Sequence, residues 1–152
     1  DMPNKKILIV GATGSVGTAA IQIAKHHNAD ITAVCSSEGQ KLVGELGVTK
    51  IILYDKVDFT KQTEKFDIIF DAVGKFNRKQ CEELLNGNGI YKNVSSYASE
   101  TIQQLKLLKE LFEKEAFKAV IDKTFQMDEI IEAHRYVDTG RKKGNVVLKI
   151  CE

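Results

Sequence analysis

The amino-acid sequence predicts an α/β fold: a doubly wound parallel sheet in three αβα layers, followed by a C-terminal helix–strand segment. Three observations carry this. Short β-branched apolar runs alternate with stretches of helical spacing, which is the rhythm of strand–crossover–strand units. The runs are continuous rather than alternating, as in strands covered on both faces. The first run leads straight into a glycine-punctuated turn that opens a helix.

In chain order, Ile7 to Val10 is a four-residue apolar run ending at Gly11 and predicts the first strand. Val16, Ala19, Ala20, Ile23 and Ala24 then recur at helical spacing as far as His27. Ile31–Val34 predicts the second strand, and Lys41–Leu46 a short helix stopped by Gly47. Ile51–Leu53, Phe66–Phe70 and Ile90–Val94 predict three further strands. A helix over Asn77–Leu85 is expected to end at Asn86-Gly87, and a charged amphipathic helix to span Thr101–Phe117. The tail predicts a helix over Asp128–Val137, a basic turn at Arg141–Gly144 and a strand over Asn145–Ile150. Residues 119–127 receive no element. The right-handed crossover rule makes a Rossmann-type sheet the leading topology. One domain over residues 1–152 is expected, with a core over 5–118 and a C-terminal segment over 119–152.

Composition sets the outer limits. The 152 residues carry a net charge of +1, with 43% hydrophobic and 28% charged residues. That balance argues against a dedicated nucleic-acid binder. No apolar run approaches the ~18 residues of a membrane span. The beginning of the sequence does not resemble a secretory signal. Cys35, Cys81 and Cys151 are odd in number and form no C-x-x-C. They suggest neither a disulfide framework nor a zinc ribbon, so a reducing, cytoplasmic setting is expected.

The most informative stretch is Gly11-Ala12-Thr13-Gly14-Ser15-Val16-Gly17. Gly11 and Gly14 allow backbone angles and close approaches that a Cβ would forbid. Gly17 lets the helix pack closely on the strand. The first helical amides then converge on one spot, backed by the positive end of the helix dipole. A pyrophosphate suits that spot. A site preferring NAD usually places an acidic residue at the end of the second strand, about 20 residues on. Here Cys35, Ser36 and Ser37 follow Val34, with no carboxylate. Ser36 and Ser37 can donate to a 2′-phosphate, and Lys41 lies one turn further. NADP is therefore expected ahead of NAD. The competing reading of Lys41 is a solvated pair with Glu38.

These residues resemble a known family. GATGSVGTAAIQIAK is similar to the coenzyme-binding turn of the medium-chain dehydrogenase/reductase superfamily, in particular its quinone-oxidoreductase-like and zinc-type alcohol-dehydrogenase-like members. AVCSSEGQKLVGELGVTKIILY, FDIIFDAVG and GNGIYKNVSS resemble that family's following strands, and AHRYVDTGRKKGNVV its C-terminal end. The resemblance implies an NAD(P)-dependent oxidoreductase that moves hydride between nicotinamide and a quinone, enone, aldehyde or alcohol. It implies that Ala12, Thr13, Gly14, Ser15 and Val16 hold pyrophosphate. Cys35, Ser36, Ser37, Lys41 and Tyr54 would face the adenosine ribose and its phosphate. Val73 and Gly74 would lie at the cofactor edge, and Asn93, Val94, Ser95 and Ser96 near the nicotinamide. It also implies an N-terminal GroES-like catalytic domain that this chain lacks, on which the C-terminal segment normally packs. After Ser96 the family's sixth strand, often a dimer edge, is shortened here. The uncovered edge leaves a homodimer open, and Val146, Val147, Leu148 and Ile150 need another partner.

Other candidates read as ordinary structure. His26 and His27 suit a helix C-terminus, and His134 a half-buried helix position. Cys35 would need a lowered pKa to react. Lys142 and Lys143 read as a solvated turn rather than phosphate ligands. Catalytic and metal-ligating sets are not expected. Two alternatives remain: a non-catalytic nucleotide-binding, redox-sensing module, and a short-chain or atypical reductase. Against the latter, Tyr54, Tyr91, Tyr97 and Tyr136 are not followed by Lys four residues on.

Overall fold

A computed structural model describes residues 3–96 and 98–150. Cys151 and Tyr97, named above, lie outside the described residues. Five parallel strands form the main sheet: β1 (Lys6–Val10), β2 (Asp30–Cys35), β3 (Lys50–Leu53), β4 (Phe66–Asp71) and β5 (Leu85–Asn93), in the order β3-β2-β1-β4-β5. The chain starts at the centre, winds outward to β3, and returns past β1 to β4. The strand order therefore reverses beside β1, where open α/β sheets form their crevice.

Successive residues of β1 face opposite cores. Ile7 and Ile9 pack with Ile21, Ala24 and Val43 from helices α1 (Ser15–His26) and α2 (Gln40–Glu45). Leu8 and Val10 pack with Phe59, Phe66, Cys81 and Leu84 on the other face. This is why the strand is apolar without alternation. The three layers expected from the sequence are thus formed.

Boundaries differ where the sequence carries no stop signal. The helix expected over Asn77–Leu85 is only α3 (Arg78–Cys81), opened by a capping box between Asn77 and Gln80, then a 3-10 turn over Glu82–Leu84. Strand β5 begins at Leu85, five residues early. Phe66 pairs with Leu85 but Ile68 pairs with Ile90, so Asn86–Gly89 bulge out of the ladder. Helix α4 (Ile102–Glu113) ends short of Phe117. Glu115 there takes a left-handed φ of 55°, and the amides of Ala116 and Phe117 turn back to the Leu111 carbonyl.

The tail forms a second, two-stranded parallel sheet of β6 (Ile121–Gln126) and β7 (Asn145–Lys149), connected through α5 (Ile130–Asp138). The new partner for the C-terminal strand is β6, which the sequence did not suggest. Ile150 remains 79% exposed. His134 is exposed rather than half-buried.

Candidate functional site

Strand β1 ends in Gly11, whose φ of +77° is a left-handed conformation suited to glycine. The amides of Gly11 and Ala12 both donate to the Val34 carbonyl at 3.1 Å, tying the turn to β2. At Gly17 a Cβ would run into the Gly11 carbonyl oxygen and the Ala12 backbone, so only glycine lets α1 lie this close to the turn. No side chain caps Gly14, and no acidic residue occupies the first turn. Among the described residues, the amides of Val16 and Gly17 have no backbone carbonyl or side chain as acceptor, while the Ser15 amide faces the Gly144 carbonyl in the bridge to Gly14. A helix start of this kind attracts an anion.

The C-terminal segment closes over that start. Gly144 bridges to Gly14, and its amide donates to the Thr13 carbonyl at 2.7 Å. The Ser15 hydroxyl donates to the Gly144 carbonyl at 2.9 Å. The Lys142 ammonium donates to the Ser15 hydroxyl at 2.6 Å and to the Gly144 carbonyl at 2.8 Å. The basic turn is therefore not simply solvated: Lys142 adds a cation to the positive end of α1, an arrangement that favours an anion between them. Asp122 holds the neighbouring backbone. It accepts from the Tyr136 hydroxyl at 2.6 Å and the Lys143 amide at 2.9 Å. Burial opposes its ionisation, but these bonds win and hold its carboxyl below the ordinary range, while the same contact pushes the Tyr136 phenol up.

Beyond the carboxyl ends of β1, β2 and β4 lies a cavity of about 880 Å³, within the range of small-molecule and cofactor sites. Of the residues expected to bind a dinucleotide, Gly11, Thr13, Gly14, Cys35, Tyr54 and Val73 line it. Ser15, Val16 and Gly17 begin α1 directly after the lining residues Thr13 and Gly14 without lining the cavity themselves, and Ala12 is fully buried in the core. The others stand back. Lys41 has an 89% exposed side chain and pairs with Glu45 at 3.8 Å, not with Glu38. The Asn93 carboxamide oxygen accepts from the Ser95 amide and the Ser96 hydroxyl, closing its own loop. Ser36 and Ser37 begin a 3-10 turn over Ser37–Gly39, while Gly74 and Val94 lie against each other.

Several lining residues were absent from the sequence reading. Asp55 and Lys56, just past β3, both line the cavity, as does Lys75; Lys142, expected in a solvated turn, lines it as well. Asp55 accepts from the Ser37 amide at 2.9 Å. The Ser37 hydroxyl is shielded from solvent and meets no acceptor at good geometry. It still sits near enough that it, ahead of the amide, holds the Asp55 carboxyl below its usual range. Asp71 is fully buried at the end of β4 and accepts from the amides of Val73, Gly74 and Phe76, each at 2.9 Å. It thereby shapes the loop that forms the cavity's second wall. A carboxylate ending a buried strand was the available signal for it. Burial first, and then Asp55, pushes the Cys35 thiol up, so Cys35 is not an activated thiolate.

A profile described as zinc-binding dehydrogenase matches residues 15–96, more than half of the chain, and a second of the same description matches residues 92–148. This chain belongs to the zinc-binding dehydrogenase family. Within that family it is 34% identical over 155 residues to the 2-methylene-furan-3-one reductase of Solanum lycopersicum, covering 95% of this chain and 40% of the relative. It is 28% identical to the mitochondrial NAD(P)H oxidoreductase RTN4IP1 of Bos taurus, covering 96% of this chain and 48% of the relative. That alignment runs over 190 residues, longer than this whole chain, so the bovine protein has intervening residues absent here. The quinone oxidoreductase of Coxiella burnetii shares the fold, with a TM-score of 0.88 at 23% identity, over 99% of this chain and 54% of that one. The chain thus spans about half the length of the relatives it matches. Despite the family's description, the described residues do not fit a zinc site: no three His, Cys, Asp or Glu side chains converge. No helix of the described residues is long and apolar enough to cross a membrane.

Proposed function

We propose that this chain is the nicotinamide-dinucleotide-binding half of a reductase that moves hydride between the cofactor and a quinone, enone, aldehyde or alcohol. One observation carries the reading: the uncapped start of α1, with unused amides at Val16 and Gly17, opens beside Lys142 at the reversal point of the sheet. These groups would hold the pyrophosphate. Tyr54 and Cys35 line the side where the adenosine ribose would lie. Val73, on the loop organised by Asp71, would border the nicotinamide end. When bound, the cofactor supplies the hydride chemistry; the protein's part is to orient it and to exclude water.

Substrate contacts belong, in this proposal, to a GroES-like catalytic domain of the intact protein. The sequence preference for NADP leans on Ser36, Ser37, Lys41 and Tyr54, of which Tyr54 lines the cavity. The outer edge of β5 is open to a strand from a second copy, and a homodimer forms part of the proposal. A reducing, cytoplasmic setting accords with free, buried Cys35 and Cys81.

Titration with NADH and NADPH, read by nicotinamide fluorescence, tests the reading. Saturable binding of either at micromolar to millimolar concentration supports it. No binding of either would overturn it.

A further inference from the structure

The sheet places a carboxylate where the second strand lacks one. Cys35 at the end of β2 pairs with Leu53 at the end of β3, and the Tyr54 amide continues the ladder to the Cys35 carbonyl at 3.0 Å. Asp55 then turns into the cavity wall beside Cys35 and Tyr54, with one carboxylate oxygen 2.9 Å from the Ser37 amide. Two consequences follow. The Ser37 amide, at the start of the turn after β2, is already engaged by Asp55 and is not free for a phosphate. The Ser37 hydroxyl is turned away from solvent, and Lys41 points outward to Glu45. Two of the donors that the sequence offered to a 2′-phosphate are thus elsewhere, and an anion stands nearby.

We propose that Asp55, reaching in from the end of β3, selects a coenzyme whose adenosine ribose carries a free 2′-hydroxyl, NAD(H) over NADP(H). A carboxylate accepts hydrogen bonds from ribose hydroxyls and repels a phosphate at the same place. Its charge persists through neutral pH, because hydrogen bonding from Ser37 keeps the carboxyl ionised. Lys56 and Asp58 flank the same wall, so removing the Asp55 charge leaves that wall close to neutral and no longer repulsive to a phosphate.

This inference rests on the dinucleotide reading above, and its test separates the two. The 152-residue chain and its Asp55→Asn variant are titrated with NADH and with NADPH, and melting is followed in parallel. Asparagine keeps an oxygen for the Ser37 amide, so the loop is retained. The expected result is NADH bound on the order of tenfold more tightly than NADPH by the native chain. The variant should bring the ratio near one by binding NADPH more tightly. A native chain that binds NADPH as tightly as NADH, or a variant that weakens both equally, overturns the role of Asp55 and leaves the dinucleotide reading standing. If neither coenzyme binds, both fall.

Discussion

The Lys142 ammonium and the Ser15 hydroxyl, 127 positions apart in sequence, meet at 2.6 Å over the first turn of α1. The contact fastens the C-terminal segment to the glycine turn and puts a full positive charge beside unused helix amides. A charge-assisted bond to phosphate contributes about 1.5–3 kcal/mol. Replacing Lys142 with Ala should therefore weaken dinucleotide binding by about 10- to 100-fold. Melting should change little, since Ser15 still donates to Gly144. An unchanged dissociation constant by fluorescence titration would remove Lys142 from the site.

At Gly17 the cost is steric. A methyl group there meets the Gly11 carbonyl and the Ala12 backbone, neither of which is a flexible side-chain end. Gly17→Ala should push α1 off the turn, cost about 1–3 kcal/mol in urea unfolding, and abolish dinucleotide binding. Gly44, with open space around it, is the control: Gly44→Ala in α2 should be neutral or stabilising by up to about 1 kcal/mol.

Asp71 holds the loop after β4 through three amides, and the Tyr91 hydroxyl, which donates to the Phe76 carbonyl at 2.6 Å, stands 3.3 Å from it. Asp71→Ala leaves the amides of Val73, Gly74 and Phe76 without a partner in a part-buried loop. The expected loss is about 3–5 kcal/mol, large against the total stability of a domain this size. Chemical denaturation measures it directly. A loss below about 1 kcal/mol would show that water replaces the carboxylate.

Asp122 makes stability depend on acid. Its folded pKa is depressed, net of the burial that opposes this, by the Tyr136 hydroxyl and the Lys143 amide. The unfolded chain therefore binds the proton first as pH falls. The Asp122 contribution is present above the ordinary carboxyl value near pH 4 and disappears as pH drops through the lower folded value. Melting temperatures from pH 6 to pH 3 should fall less steeply in Asp122→Asn than in the native chain. Parallel slopes would contradict the assignment.

The core was legible because burial leaves its mark in residue type. The apolar runs at Ile7, Ile31 and Phe66 are strands covered on two sides, and both clusters confirm it. Gly17 was readable as a packing position because no other residue fits there. Strand β6 was not legible: Ile-Asp-Lys-Thr-Phe-Gln is mostly exposed and its pairing energy comes from β7, some twenty residues on. The end of α4 was equally silent, since Glu115 rather than glycine takes the left-handed turn.

Local sequence thus determined the central strands, the glycine turn and its helix, because those depend on periodicity and on backbone freedom at single positions. Only the tertiary structure decided which charges face the cavity. Lys142 arrives there from the C-terminal turn and Asp55 from a neighbouring strand, while Lys41 leaves it for Glu45. Side-chain direction at a strand end or turn depends on contacts between distant segments, and spacing along the chain carries no trace of them.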